Sequence, residues 1–198
     1  MSEPRIGRLL VASLHQSIQE LLPNRIEFYE NWLNTTGLRD GTIGLAPLSA
    51  VLSFLRLEGD AYAAITTRAG EYAADWTIAA LPPLERRITR ALPSRWRTPR
   101  AMRVARRLIT ATYPGTRTVV KARQGTTTLD IRGSLFCEVR ESSALPLCGF
   151  YVAAVGRVLA AFGLAGDVQV QACRAVGAGR GCLLAVRVAP PAAEAASA

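Results

Sequence analysis

The stretch from Ser134 to Val188 constrains the fold most, because its hydrophobic period changes along its length. Leu135, Cys137 and Val139 alternate with Phe136, Glu138 and Arg140, a period of two that predicts a strand. From Pro146 to Phe162 the apolar residues Leu147, Tyr151, Val155, Val158, Leu159 and Phe162 follow a helical period, and Pro146 suits a first helical turn. Val168, Val170 and Ala172 then alternate with Gln169, Gln171 and Cys173. After the turn Gly177-Ala178-Gly179-Arg180-Gly181, the run CLLAVRV reads as a strand returning against them. The helix between such strands must cover one face of their sheet.

Upstream the period is helical. Ile6 to Leu22 carries Ile6, Leu10, Leu14, Ile18 and Leu21 on one stripe. Arg25 to Asn34 is a short aromatic helix ahead of Gly37, and Ala46-Pro47 opens a third that ends at Gly59. Asp60 is placed to cap a fourth helix, to about Ala80. Beyond Leu81-Pro82-Pro83, the spacing predicts two short helices divided at Pro93-Ser94, with Thr98-Pro99 as a helix start. Thr116 to Ala122 and Thr126 to Ile131 form a hairpin around Arg123-Gln124-Gly125. The expected fold is therefore α+β in one domain spanning 1–190. Residues 1–115 are mainly helical, 116–190 supply four to five antiparallel strands with one long inserted helix, and 191–198 form a disordered, low-complexity tail.

No apolar run is long enough to span a bilayer, and the first residues read as a helix rather than a signal peptide. These features predict a cytoplasmic protein, where thiols stay reduced. The formal net charge is +9, carried by arginine, with Lys121 the one lysine. Arg86, Arg87, Arg90, Arg95, Arg97, Arg100, Arg103, Arg106 and Arg107 crowd one stretch with no acid among them. Such a block is a solvated helical face, or it meets phosphate, acidic lipid or a carboxylate. A nucleic-acid role is disfavoured, because neither helix-turn-helix nor zinc-finger spacing accompanies the charge. His15 is the single histidine, and nothing around it builds a nucleophile-histidine pair. GAGRG sits between strands, not at a strand-to-helix turn, so no nucleotide cofactor is expected.

All four cysteines, Cys137, Cys148, Cys173 and Cys182, lie in the last third. Their C-x10-C-x24-C-x8-C spacing is not that of a zinc knuckle. Cys148 stands near a helix start, where a thiolate is favoured, and Cys173 and Cys182 flank one turn. The residues alone allow either a metal site or small side chains packed in a core.

The stretch FCEVRESSALPLCGFYVAAVGRVLAAFG followed by ACRAVGAGRGCLL resembles the C-terminal part of the 4-vinyl reductase domain family, which is related in fold to TRAPP vesicle-tethering subunits. The carriers of the resemblance are a Pro-x-Cys entering a helix, then Cys-x-Ala-x-Gly and a further cysteine before the last strand. The segments FYENWLNTTGLRDG to TTRAGEYAADW fit the same family more loosely. In phenol-sensing activators carrying this domain, three cysteines and a glutamate hold zinc. The resemblance places Cys148, Cys173 and Cys182 at the three cysteines, and Val170 at the glutamate, between Gln169 and Gln171. Either Cys137 supplies the fourth thiolate of a structural zinc site, or the site is degraded and empty.

The resemblance further implies a TRAPP-like fold and an apolar cavity between helices and sheet that takes a hydrophobic ligand: a hydrocarbon, an aromatic or a tetrapyrrole. Trp32, Tyr72, Trp76 and Tyr151 are candidates for its lining by residue type, and Arg103, Arg106 or Arg107 for holding a ligand carboxylate at its mouth. A ligand-binding or sensor domain is the leading expectation, signalling through a homodimer or a partner protein. The alternatives are an accessory protein or reductase in tetrapyrrole synthesis, and a scaffold docking to membrane or protein through the arginine face. No residue is assigned a catalytic role.

Overall fold

The computed structural model describes residues 6–33, 44–123, 125–177 and 179–189. The predicted tail, and the end of the aromatic helix at Asn34, lie outside them. The fold is α+β, as the two periodicities require. Among the described residues six α-helices come first: α1 Arg8–Leu21, α2 Ile26–Leu33, α3 Leu45–Leu57, α4 Asp60–Ala79, α5 Pro83–Ala91 and α6 Ser94–Thr112. The hairpin β1 Arg117–Arg123 and β2 Thr126–Arg132 follows, then α7 Gly149–Ala161, β3 Gly166–Ala172 and β4 Gly181–Val188. The four strands form one antiparallel sheet in the order β1-β2-β4-β3. None of the described helices is long and apolar enough to cross a membrane.

The sheet turns one face inward. Thr127, Leu129 and Ile131 of β2 stand opposite Val186, Leu184 and Cys182 of β4, and all six are buried. Val168 and Val170 continue this face on β3, as Val120 does on β1. A single apolar core joins it to the helices. At its centre α4 crosses α7 with backbones almost touching, because Gly70 faces Phe150 and Ala154; a Cβ at Gly70 would run into the Phe150 carbonyl oxygen. At the far end of α7, Arg90 Nε donates to Ala161 O at 2.9 Å and Arg97 Nη1 to Phe162 O at 3.2 Å. Two cations thus satisfy the negative end of that helix.

Four expectations are corrected. Ser134 to Val139 is not a third strand: Leu135–Cys137 is a 3-10 turn, and the sheet has four strands. Leu135, Phe136 and Cys137 are all buried, which a half-buried strand does not allow. The inserted helix starts at Gly149, with Pro146 outside it. Gly59, at φ +62°, precedes α4, so Asp60 lies inside the first turn rather than capping it. The arginine-rich segment does divide at Pro93-Ser94, but Pro99 sits inside α6 instead of opening a helix. Arg97 holds this region together by donating through Nε to Leu92 O at 3.0 Å and reaching α7.

Candidate functional site

The four cysteines converge at one end of the sheet, each delivered by a different local device. Cys137 ends the 3-10 turn that follows β2. Cys148 occupies the N-cap of α7, and its carbonyl accepts from the backbone N–H groups of Tyr151 and Val152 at 3.0 and 3.1 Å. Cys182 is the second residue of β4, opposite Ile131. Cys173 reaches the group through a β-bulge. In an unbroken ladder Ala172 would pair with Cys182, but it pairs with Leu183. The extra residue turns Ala172 outward and Cys173 inward. The plain alternation had placed Cys173 with Gln169 and Gln171 on the polar face, and the bulge reverses that placement.

All four sulfurs are buried and lie within 4.8 Å of one another. Cys137 Sγ is 3.5 Å from Cys148 Sγ and 3.6 Å from Cys173 Sγ, and Cys182 Sγ is 4.0 Å from Cys173 Sγ. A metal–sulfur bond of about 2.3 Å places the sulfurs of a tetrahedron roughly 3.8 Å apart. The cluster therefore has the dimensions for one ion. A polynuclear iron–sulfur cluster needs its thiolates on different irons, farther apart than this. Val170, at the position where the resemblance called for a glutamate, sits on the inner sheet face and brings no ligand atom; Cys137 completes the set.

The surroundings suit a negatively charged centre. Arg56 of α3 spans to the 3-10 turn, donating through Nη2 to the carbonyls of Leu135, Phe136 and Glu138 at 3.4, 3.1 and 3.3 Å. Arg56 Nε, Tyr62 Oη and Ser134 Oγ are buried without a hydrogen-bond partner among the described residues. All three are donors, and for Tyr62 and Ser134, which neighbour Cys137, metal-bound thiolates would supply acceptors. Without a metal the thiols must share protons. The neighbouring thiols of Cys137 and then Cys148 hold Cys182 well below the usual thiol range. Cys148 is pushed up by its hydrogen bond to Cys137, by the neighbouring Cys182 and by burial. An aromatic triad backs the site: Phe136 stacks on Phe150 with ring centres 4.7 Å apart, and Tyr151 meets both edge-on.

A second feature opens at the opposite end of the sheet. A groove of about 630 Å³ runs between α6 and the inner sheet face. Its floor comes from Met102 and Pro99 of α6 with Val120, Ala122, Val186 and Val188 of the sheet, and Arg95, Arg103 and Arg106 stand along it. A further cleft of about 1020 Å³ lies between α3 and the segment around Glu138 to Glu141, lined by Arg56, Arg140 and Arg174 among others.

The expected ligand residues are scattered by the fold. Arg103 and Arg106 do line the groove, whereas Arg107 is exposed outside its lining. Trp32 packs on Phe54 with ring centres 5.5 Å apart. Tyr72 stacks on Trp76, and its hydroxyl donates to Glu20 at 2.6 Å, joining α4 to α1. Tyr151 is core, its phenol pushed up by burial. None of these four aromatics lines either cavity. His15 Nε2 lies 2.8 Å from Glu30 Oε1 and ties α1 to α2. Sequence reasoning did not reach Arg56, Ser134 or Tyr62, nor the small groove residues Val120, Ala122, Val186 and Val188; the inward phase of the strands was the one available signal for the latter. Comparison with protein-family models and with curated proteins gives no match to this chain.

Proposed function

We propose that this chain is a binding domain for an amphiphilic small molecule, apolar along its body and acidic at one end, built on a structural zinc site. The groove carries the proposal. Its volume of about 630 Å³ falls within the range of small-molecule sites, roughly 300–1,000 Å³. An apolar floor takes the body of the ligand, and Arg95, Arg103 and Arg106 take a carboxylate or similar anion. The zinc site serves the frame: four buried thiolates fill the coordination sphere, leaving no open position for chemistry. The resemblance to the 4-vinyl reductase domain family, and through it to TRAPP-like folds, agrees with a ligand-carrying or sensing role.

The groove reading is tested by filling the groove. Anilinonaphthalene sulfonate, an apolar ring system with one anionic group, serves as a fluorescent probe. Ala122→Trp, at an exposed position on the groove floor, should lower its affinity about tenfold or more while the far-UV circular dichroism stays unchanged. Arg103→Gln with Arg106→Gln should weaken the sulfonate probe more than an uncharged naphthalene. Equal binding of both probes by all these proteins would remove the groove from the reading.

A further inference from the structure

Helix α5 is inside out. A helix on a globular surface turns its apolar stripe to the core. In α5 the one buried residue is Thr89, while Leu84 and Ile88, one turn apart on the same side, are 68% and 49% exposed. Ala91 lies on the same side, next to Leu84 in helical projection, and Arg87 flanks it. The next helix begins with a third exposed apolar side chain, Trp96, at 55%.

The charge around these residues is one-sided. From Arg86 to Arg107 there is no acid. Arg90 and Arg97 are engaged by carbonyls at the end of α7. Arg86, Arg87, Arg95, Arg100, Arg103, Arg106 and Arg107 make no ion pair among the described residues, although arginines elsewhere in the fold do: Arg25 with Glu58, Arg68 with Glu20 and Arg157 with Asp75.

From these observations we infer that α5 and the start of α6 form a docking face for an anionic phospholipid surface. Leu84, Ile88 and Trp96 enter the interface, and Arg86, Arg87 and Arg100, which lie outside the groove lining, meet the headgroups. The chemistry selects this occupant over others. Leucine and isoleucine offer no stacking platform for bases, so a nucleic acid would leave them unused. A second copy of the face would bring like charges together. A bilayer surface of net negative charge satisfies both halves at once, and tryptophan is favoured at its boundary. This inference is independent of the groove and of the thiol site.

Flotation with vesicles tests it, using phosphatidylcholine alone and phosphatidylcholine with one third phosphatidylglycerol. The intact chain should float with the mixed vesicles at low salt and stay behind with the neutral ones. Leu84→Ser with Ile88→Ser should weaken partitioning roughly tenfold, and because both side chains are exposed the circular dichroism should not change. Arg86→Gln, Arg87→Gln and Arg100→Gln together should weaken it about a hundredfold, since each basic residue at such a surface contributes roughly fivefold. Trp96 gives a second readout: mixed vesicles should shift tryptophan emission to the blue, and Trp96→Phe should abolish the shift. Ala122→Trp should leave flotation unchanged. Absence of flotation, or flotation indifferent to the Leu84/Ile88 pair, overturns the inference. So does capture by an oligonucleotide, but not by vesicles, with the pair substituted or not; that result would assign the arginines to nucleic acid.

Discussion

At the scale of single residues, one bulge decides whether the thiol site exists. Cys173 joins the other sulfurs because Gln171 is an extra residue in β3, and a ladder without it would point Cys173 to solvent. The expected consequence is stoichiometric. The refolded chain should take up one zinc per molecule, and Cys137→Ser should weaken retention as strongly as Cys182→Ser, as read by chelator competition. A mild loss at Cys137 would leave three ligands and refute the four-thiol site. Protons give a second check. Thiols must be deprotonated to bind zinc, so affinity should rise with pH. Cys182 is already held below the usual thiol range by Cys137 and Cys148. Uptake at neutral pH should therefore release fewer than four protons, measured by calorimetry in buffers of different ionisation heat.

Among elements, the crossing of α4 and α7 sets the spacing of everything behind it. Gly70 has no room for a Cβ, and Ala69, Ala73, Ala74 and Ala154 are buried around it. Gly70→Val should force the helices apart and destabilise the chain by about 3 kcal/mol or more, visible in urea unfolding. Because Cys148 caps α7, the same substitution should loosen zinc retention. The helices were legible in the sequence because their apolar stripes repeat over several turns, and the hairpin because turn residues separate two alternating runs. Short elements were not. Leu135, Cys137 and Val139 imitate a strand, and only the bulky Phe136 on the supposed outer side hints that the segment is buried all round. Pro99 reads as a helix start in isolation, yet tertiary contacts of Arg97 carry α6 through it. Aromatic residue type failed as a guide to the groove for a plain reason. Tyr151 is taken up by the core, Trp32 packs on Phe54 and Tyr72 stacks on Trp76, so each already has a partner away from the groove, whose floor is aliphatic.

For the whole molecule, the register places the two features at opposite ends of one sheet. Cys182 lies at the start of β4, and Val186 and Val188 lie at its end. Zinc removal should therefore act locally. Hydrogen exchange after chelation should accelerate in the segments holding Cys137, Cys148 and Cys173, with the β1–β2 hairpin end and α6 little affected. Uniform acceleration would show instead that the metal supports the entire core.

The placement of Cys182 and Val186 on one face of β4 has a practical consequence. Four residues of strand span about 13 Å. A cobalt ion seated among the thiols would act as a fixed magnetic beacon at a known height above the groove. Any compound lodged there would report its own depth and orientation through the broadening of its resonances, atom by atom.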